Sequence, residues 1–367
     1  MKSNEPISVH MVGSEWFASR PGGLNRYFSS LYTALSDRED ISTSAIAFGA
    51  ADPTDPEAHS WPTPARNSTF ARARAARERP NEVSPTILDR HFCLYGPSAK
   101  DYSVRPRHVI HFQGPWAAES VMAGAGAVSA RLKHLVEEAR YRTGDHFVVL
   151  SESFKSVLMA DYHVPEDRIT RIPPGVDLRE FTFESMSAAS RPIVLCVRRL
   201  ERRMGIQVLI RAWQDVHERF PDAELHIVGS GTFENQLRDQ AARQGSTGDS
   251  IIFRNRLSDE DLRQAYRDAT LTVVPSIALE GFGLIALESL AVGRAPIVTN
   301  CGGLPDAVTG LDSSLVVPVG DADHLAERII EGMNGRLPSP AACRAHAETF
   351  SWGIAAGKHV DLYRSLI

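Results

Sequence analysis

The sequence predicts an α/β protein of two Rossmann-like domains, each built on its own parallel sheet, and three observations carry that expectation. The first is length: 367 residues, at roughly 150 per domain, give two domains, each large enough to bury a core of its own. The second is periodicity. Short apolar runs alternate with helix-length amphipathic stretches, the pattern left when crossover helices cover a parallel sheet. The third is an interruption, Ile172-Pro173-Pro174-Gly175-Val176-Asp177, followed by Ser-, Ala- and Glu-rich sequence to Arg191 in which few residues can anchor a core.

Taken in chain order, apolar runs at residues 7–12, 43–48, 108–111 and 147–150 read as strands of the first sheet. A second set reads at 193–197, 224–228, 250–253, 271–274, 295–299 and 314–317. The expected division is an N-terminal Rossmann-like domain over 1–172, a linker over 173–190, a C-terminal Rossmann-like domain over 191–348, and an amphipathic terminal helix over 349–367. Prolines 53, 56, 62 and 64 precede a stretch, 65–80, that carries Arg66, Arg72, Arg74, Arg77 and Arg79. Its apolar face is mostly alanine, too small to enter lipid, so it reads as a solvated surface helix.

Composition removes several classes of function. Hydrophobic residues at 43% and charged residues at 23% are a globular mixture and exclude a disordered chain. A net charge of -5 gives no basic surface for nucleic acid. Cysteines 93, 196, 301 and 343 form no close pair, so neither a zinc knuckle nor a thioredoxin-type motif is available, and a reducing cytoplasm is the expected location. No apolar stretch suits a signal peptide or a membrane span, which leaves at most peripheral contact with a membrane.

Two glycine-bearing turns follow strands. After the first strand, Pro21-Gly22-Gly23-Leu24-Asn25 opens a helix whose terminal amides and dipole favour an anion such as a diphosphate, although a bare Gly-Gly is also an ordinary tight turn. In the second half, Glu280-Gly281-Phe282-Gly283-Leu284 leads from a strand end into a helix bearing Glu288. The amides of Gly281, Phe282 and Gly283 point to phosphate, and two carboxylates eight positions apart can hold sugar or ribose hydroxyls. The plainer reading makes Glu280 a helix-dipole partner and Glu288 an exposed helix residue. Arg198, Arg199, Arg202 and Arg203 follow the strand at 193–197, where a guanidinium can neutralise a leaving diphosphate without a divalent metal.

These residues together resemble the retaining, metal-independent GT-B glycosyltransferases of glycosyltransferase family 4, over nearly the whole chain. The most specific element is the E-x7-E motif, Glu280 to Glu288 around Gly-Phe-Gly; Gly22-Gly23, the segment 172–177 and Cys301-Gly302-Gly303-Leu304-Pro305-Asp306 support it in order and spacing. The resemblance implies two domains facing a central cleft that closes on the donor about a hinge near 173–177, with the terminal helix crossing back to the N-terminal domain. It implies catalytic roles for His111, Arg199 and Glu280, and donor contacts from Gly22, Gly23, Arg203, Arg256, Gly281, Phe282, Gly283, Leu284 and Glu288. Gln113 and Trp116, in the His111-Phe112-Gln113-Gly114-Pro115-Trp116 loop, would meet the acceptor. No metal or cofactor is implied beyond a nucleoside-diphosphate sugar, UDP-glucose or UDP-N-acetylglucosamine by default with GDP-mannose behind, and a small-molecule or glycan acceptor.

The chain departs from the family pattern in three places. Met204 stands where a lysine is usual, so Arg202 or Arg203 must supply that charge. Gln113 stands where a second histidine is common, and Asn255 replaces a usual glycine near the base. Two other classes compete. A nicotinamide-dependent oxidoreductase needs a G-x-G-x-x-G that is not in register here. A non-catalytic nucleotide-sugar or carbohydrate binding protein would keep the fold and lose the reactive residues, all of which are present.

Overall fold

The computed structural model describes residues 6–64, 68–77, 84–122, 124, 126–183 and 191–367. Two compact units emerge, one formed by Met1–Gly175 with Trp352–Ile367 and the other by Val176–Ser351.

The first unit is a seven-stranded parallel sheet. Its strands are β1 (Ile7–Glu15), β2 (Ile41–Phe48), β3 (Ala58–Ser60), β4 (Ile87–Arg90), β5 (Arg107–Phe112), β6 (His146–Val149) and β7 (Ile169–Arg171), in the order β3-β2-β1-β4-β5-β6-β7. The apolar run of β1 is central, with Val9 opposite Thr43 on one side and Ile87 on the other. β3, β4 and β7 are absent from the strands expected from sequence. β4 escapes because Asp89 and Arg90, at 0% and 1% exposure, break its apolar run yet lie in the middle of the sheet.

The helix Gly23–Ser36 buries Tyr27, Phe28, Leu31, Tyr32 and Leu35, and the helix Trp352–Leu366 packs beside it, Tyr27 meeting the Trp352 ring at 5.4 Å and His359 at 3.4 Å. Ser68 caps the short helix Thr69–Ala75. Arg72 of that helix does not face solvent as expected: it turns inward to Glu15 at 3.2 Å and lies over the Phe48 ring at 4.2 Å. Arg66 and Arg79 fall outside the described residues, as does the part of the expected linker at 184–190.

The second unit has six parallel strands, β8 (Ile193–Val197), β9 (Glu224–Val228), β10 (Ile251–Phe253), β11 (Leu271–Val274), β12 (Pro296–Thr299) and β13 (Val316–Val317), in the order β10-β9-β8-β11-β12-β13. The helix Ile206–Arg219 buries Ile206, Leu209, Ile210, Trp213 and Val216, the spacing of one helix face turned to the sheet. It starts at Gly205, whose φ of 73° and approach to Pro275 (a Cβ would lie 1.7 Å from that carbonyl oxygen) require glycine. Val176 N–H donates to Phe350 O at 2.7 Å, which ties the start of this unit to its end.

In both sheets the chain order reverses beside the first strand, between β1 and β4 and between β8 and β11. The connections there leave toward opposite sides and open a crevice at the carboxyl ends of the strands, the place where open α/β sheets bind ligands. No helix among the described residues is long and apolar enough to cross a membrane.

Candidate active site

At the reversal point of the second sheet, the loops after β8 and β11 are stitched together. Ile277 N–H donates to Arg203 O at 2.9 Å, and the Arg203 guanidinium donates to Leu279 O at 2.9 Å. Arg198 donates from one nitrogen to both Ser276 Oγ and Glu280 Oε2, and Ser276 Oγ itself donates to Glu280 Oε2 at 3.2 Å. The side chains of Arg198 and Glu280 are 6% and 14% exposed. Burial works against ionisation of Glu280. Arg198, aided by Arg203 and Ser276, outweighs it and holds the carboxyl below the usual carboxylate range. Glu280 is therefore an anion with one guanidinium already upon it.

The arginine expected to carry catalysis, Arg199, is exposed, and among the described residues its side chain has no partner. It is free to receive an anion. Arg256, after β10, is likewise exposed. Of the two candidates for the missing lysine charge, Arg202 points to solvent while Arg203 stands beside Glu280; Met204 is buried in the core.

Gly283, with φ 87° and room for no Cβ against Leu304, begins the helix Leu284–Ala291. Phe282 is 2% exposed and packs on Phe350, which keeps its ring from a ligand. Glu288 is not an exposed helix residue: it is 6% exposed and accepts from the Tyr266 hydroxyl at 2.9 Å. The two Asp-x-Asp pairs of the chain, Asp259/Asp261 and Asp321/Asp323, lie at the starts of surface helices, where Asp261 accepts from Ser258 and Asp321 serves as the cap.

In the first unit, the expected residues gather at the carboxyl ends of β1 and β5. Gly22 and Gly23 are exposed, nothing lies within 4 Å of where a Cβ would stand on either, and Gly22 is in extended conformation. The chain's own packing does not demand glycine there. Trp116 is half-buried beneath Lys133, 5.0 Å from the ring centroid. The amides of Trp116 and Ala117 donate to the buried Glu137 carboxylate at 2.8 and 3.1 Å, so the start of this helix is filled from within.

His111, expected to face the donor, lies near the end of β5 among buried polar side chains. Its side chain is 0% exposed and its Nε2 lies 2.8 Å from Asp89 Oδ1. Its ring stacks on His91 at 3.8 Å and on His359 at 5.2 Å. Gln113 of that loop, half-buried like Trp116, has its Nε2 3.4 Å from His91 Nδ1. Asp89, His91 and His111 also bring possible ligand atoms within 4.8 Å of one another. Sequence reasoning passed over Asp89, His91, Ser276 and Tyr266, and it set Arg198 behind Arg199.

Two doubly wound units, one with an arginine and glutamate pair at its reversal point and the other with a glycine-led helix at its own, define a glycosyltransferase of the GT-B fold. Similarity to known proteins agrees. The Glycosyl transferases group 1 family matches residues 179–350 and Glycosyltransferase Family 4 matches residues 21–180. A D-inositol 3-phosphate glycosyltransferase of Corynebacterium jeikeium is 30% identical over 83% of this chain and 78% of its own. A mannosylfructose-phosphate synthase of Agrobacterium fabrum is 31% identical over 75% and 68%.

A GDP-mannose-dependent monoacylated alpha-(1-6)-phosphatidylinositol monomannoside mannosyltransferase of Corynebacterium glutamicum is 33% identical over 53% of this chain, and that match spans just over half of the relative, 55%. Among solved structures, sucrose-phosphate synthase of Thermosynechococcus elongatus superposes with a TM-score of 0.76 at 22% identity, covering 99% of both chains. Anabaena HepE in complex with UDP superposes with a TM-score of 0.74 at 15% identity, covering 98% and 100%. The chain belongs to glycosyltransferase family 4.

Proposed function

We propose that the protein transfers a hexose or N-acetylhexosamine from a UDP-sugar to an acceptor hydroxyl, with retention at the anomeric carbon and without a metal. The observation that carries the reading is the ionised Glu280 clamped by Arg198, with the exposed Arg199 next in the same loop, at the reversal point of a parallel sheet. As the sugar leaves, negative charge builds on the diphosphate and positive charge on the ring. Arg199 and Arg203 with the amides of Gly281, Phe282 and Gly283 face the first, and Glu280 the second. In the other unit, Gly22 and Gly23 leave open space in front of a helix start, which suits close approach of a phosphate or sugar. Glu288 on its Tyr266 partner would hold the ribose.

The uracil base rests on family base rate and on one fold neighbour, HepE, solved with UDP and with UDP-glucose; the relative named for GDP-mannose makes guanine the competing outcome. Thermal unfolding with UDP, GDP, ADP and NAD, each with and without a chelator, tests the reading. A ligand at about 100 times its dissociation constant adds roughly 2.7 kcal/mol, several degrees for domains of this size. The expected result is a chelator-resistant shift with UDP alone. A shift with GDP moves the base, and a shift confined to NAD overturns the proposal.

A further inference from the structure

Behind Gln113 lies a buried polar cluster that orients it. Asp89, in the middle of β4, accepts at Oδ2 from the Tyr363 hydroxyl at 2.7 Å and from His91 Nε2 at 3.2 Å. Its Oδ1 stands 2.8 Å from His111 Nε2, an ion-pair distance without the alignment of a hydrogen bond. The His91 and His111 rings, both with fully buried side chains, stack with 23° between their planes. Tyr27 and Phe28 close over His91 at 5.7 and 5.2 Å. Behind His111, His359 Nδ1 donates to Ala355 O at 2.7 Å, which leaves His359 Nε2 as the acceptor for the Tyr27 hydroxyl at 3.4 Å.

These contacts settle the proton on His91. Asp89 has only lone pairs to offer, so His91 Nε2 carries the hydrogen. Burial foremost, with His111 beside it, lowers His91 to about 4, so the ring is neutral and Nδ1 keeps its lone pair. Only the NH₂ end of the Gln113 amide can approach that nitrogen, and its oxygen is turned away from the cluster. At 3.4 Å the contact is long for a hydrogen bond.

We infer that Asp89 and His91 are positioning residues that hold the Gln113 amide oxygen outward at the carboxyl end of β5 to accept a hydrogen bond from a sugar hydroxyl. The inference rests on the transferase reading for the hydroxyl, and on geometry alone for the orientation.

A double-mutant cycle on kcat/KM tests the coupling. His91→Phe keeps the ring and removes both nitrogens; it is expected to lower kcat/KM about tenfold, the scale of one neutral hydrogen bond. Gln113→Ala is expected to lose at least as much, and the pair no more than Gln113→Ala alone. Losses that multiply overturn the inference. Asp89→Asn guards against misfolding of the phenylalanine variant: its amide donates to His91 Nε2, drives the proton to Nδ1 and reverses the Gln113 amide, with the same expected loss only when Gln113 is present.

Long-range ¹⁵N spectra of the imidazoles, with His91 assigned by its disappearance in His91→Phe, read the proton without activity. The expected tautomer is Nε2–H. Finding Nδ1–H in an active enzyme overturns the orientation alone, whereas Nε2–H in a chain that turns over no donor overturns the transferase reading and with it Gln113's role. Stoichiometric zinc in the purified protein, held by Asp89, His91 and His111, also overturns it, because ligation takes the nitrogen the proton needs.

Discussion

Arg198 donates to Glu280 Oε2 and to Ser276 Oγ, so the carboxylate that ends the β11 loop is held by the loop after β8, on the neighbouring strand. Arg198→Ala leaves Glu280 nearly buried, with the Ser276 hydroxyl on it but without the guanidinium that pairs with it. Removing one partner of a buried ion pair costs about 3–5 kcal/mol, so the variant is expected to unfold several degrees lower. Its Glu280 also titrates upward, because burial then acts without the guanidinium. Adding Glu280→Ala to Arg198→Ala should recover part of the stability, and a calorimetric cycle that finds no recovery would separate the two residues.

Arg199 gives the opposite signature. It is exposed and its side chain has no partner among the described residues, so Arg199→Ala is expected to change stability by less than about 0.5 kcal/mol. Loss of a preorganised donor to the leaving diphosphate should slow transfer about 100-fold or more. Initial rates beside a melting curve check both halves, and transfer at full rate would remove Arg199 from the mechanism.

Gly22→Ala and Gly23→Ala separate folding from binding at the other reversal point. Space around both is open, Gly22 is extended and Gly23 opens the helix, so the melting temperature should hold or rise slightly. A methyl group between the helix start and a phosphate should raise the donor KM about tenfold at unchanged stability. An unchanged KM would place the donor elsewhere.

The strands with unbroken apolar runs were legible in the sequence, because a run such as Ile193–Val197 needs no partner outside the sheet to explain its burial. β4 was not. Its Asp89 is held in the sheet by Tyr363 and two histidines, and its Arg90 donates to the carbonyls of Cys93 and Pro97. Those partners lie up to 274 positions away in sequence. The same reason hid the support of the site: a motif names Glu280 and His111, but that Arg198 rather than Arg199 holds the first, and that Asp89 engages the second, follows only when strands four and five or eight and eleven are laid side by side. The motif around His111 implied a donor contact; its ring is packed against Asp89, His91 and His359, neighbours that the motif does not name.

Acid should attack the first unit through its buried histidines. Burial, the leading cause in each case, lowers His10 and His91 to about 4 and His108 and His359 to about 3, from 6.5. Between those values and 6.5 the unfolded chain binds protons that the folded unit refuses, so stability rises with pH across that window and falls as pH drops from about 6.5 toward 4. Each histidine contributes up to about 1.4 kcal/mol per pH unit. Asp89, held low by His111 and His91 against its burial, adds a loss in the same direction below about 3.8. Hydrogen exchange at pH 7 and pH 5 should therefore show peptides from Ile7–Glu15 and Arg107–Phe112 losing protection. Unchanged protection in both would mean that these rings are already solvated or charged in the native protein.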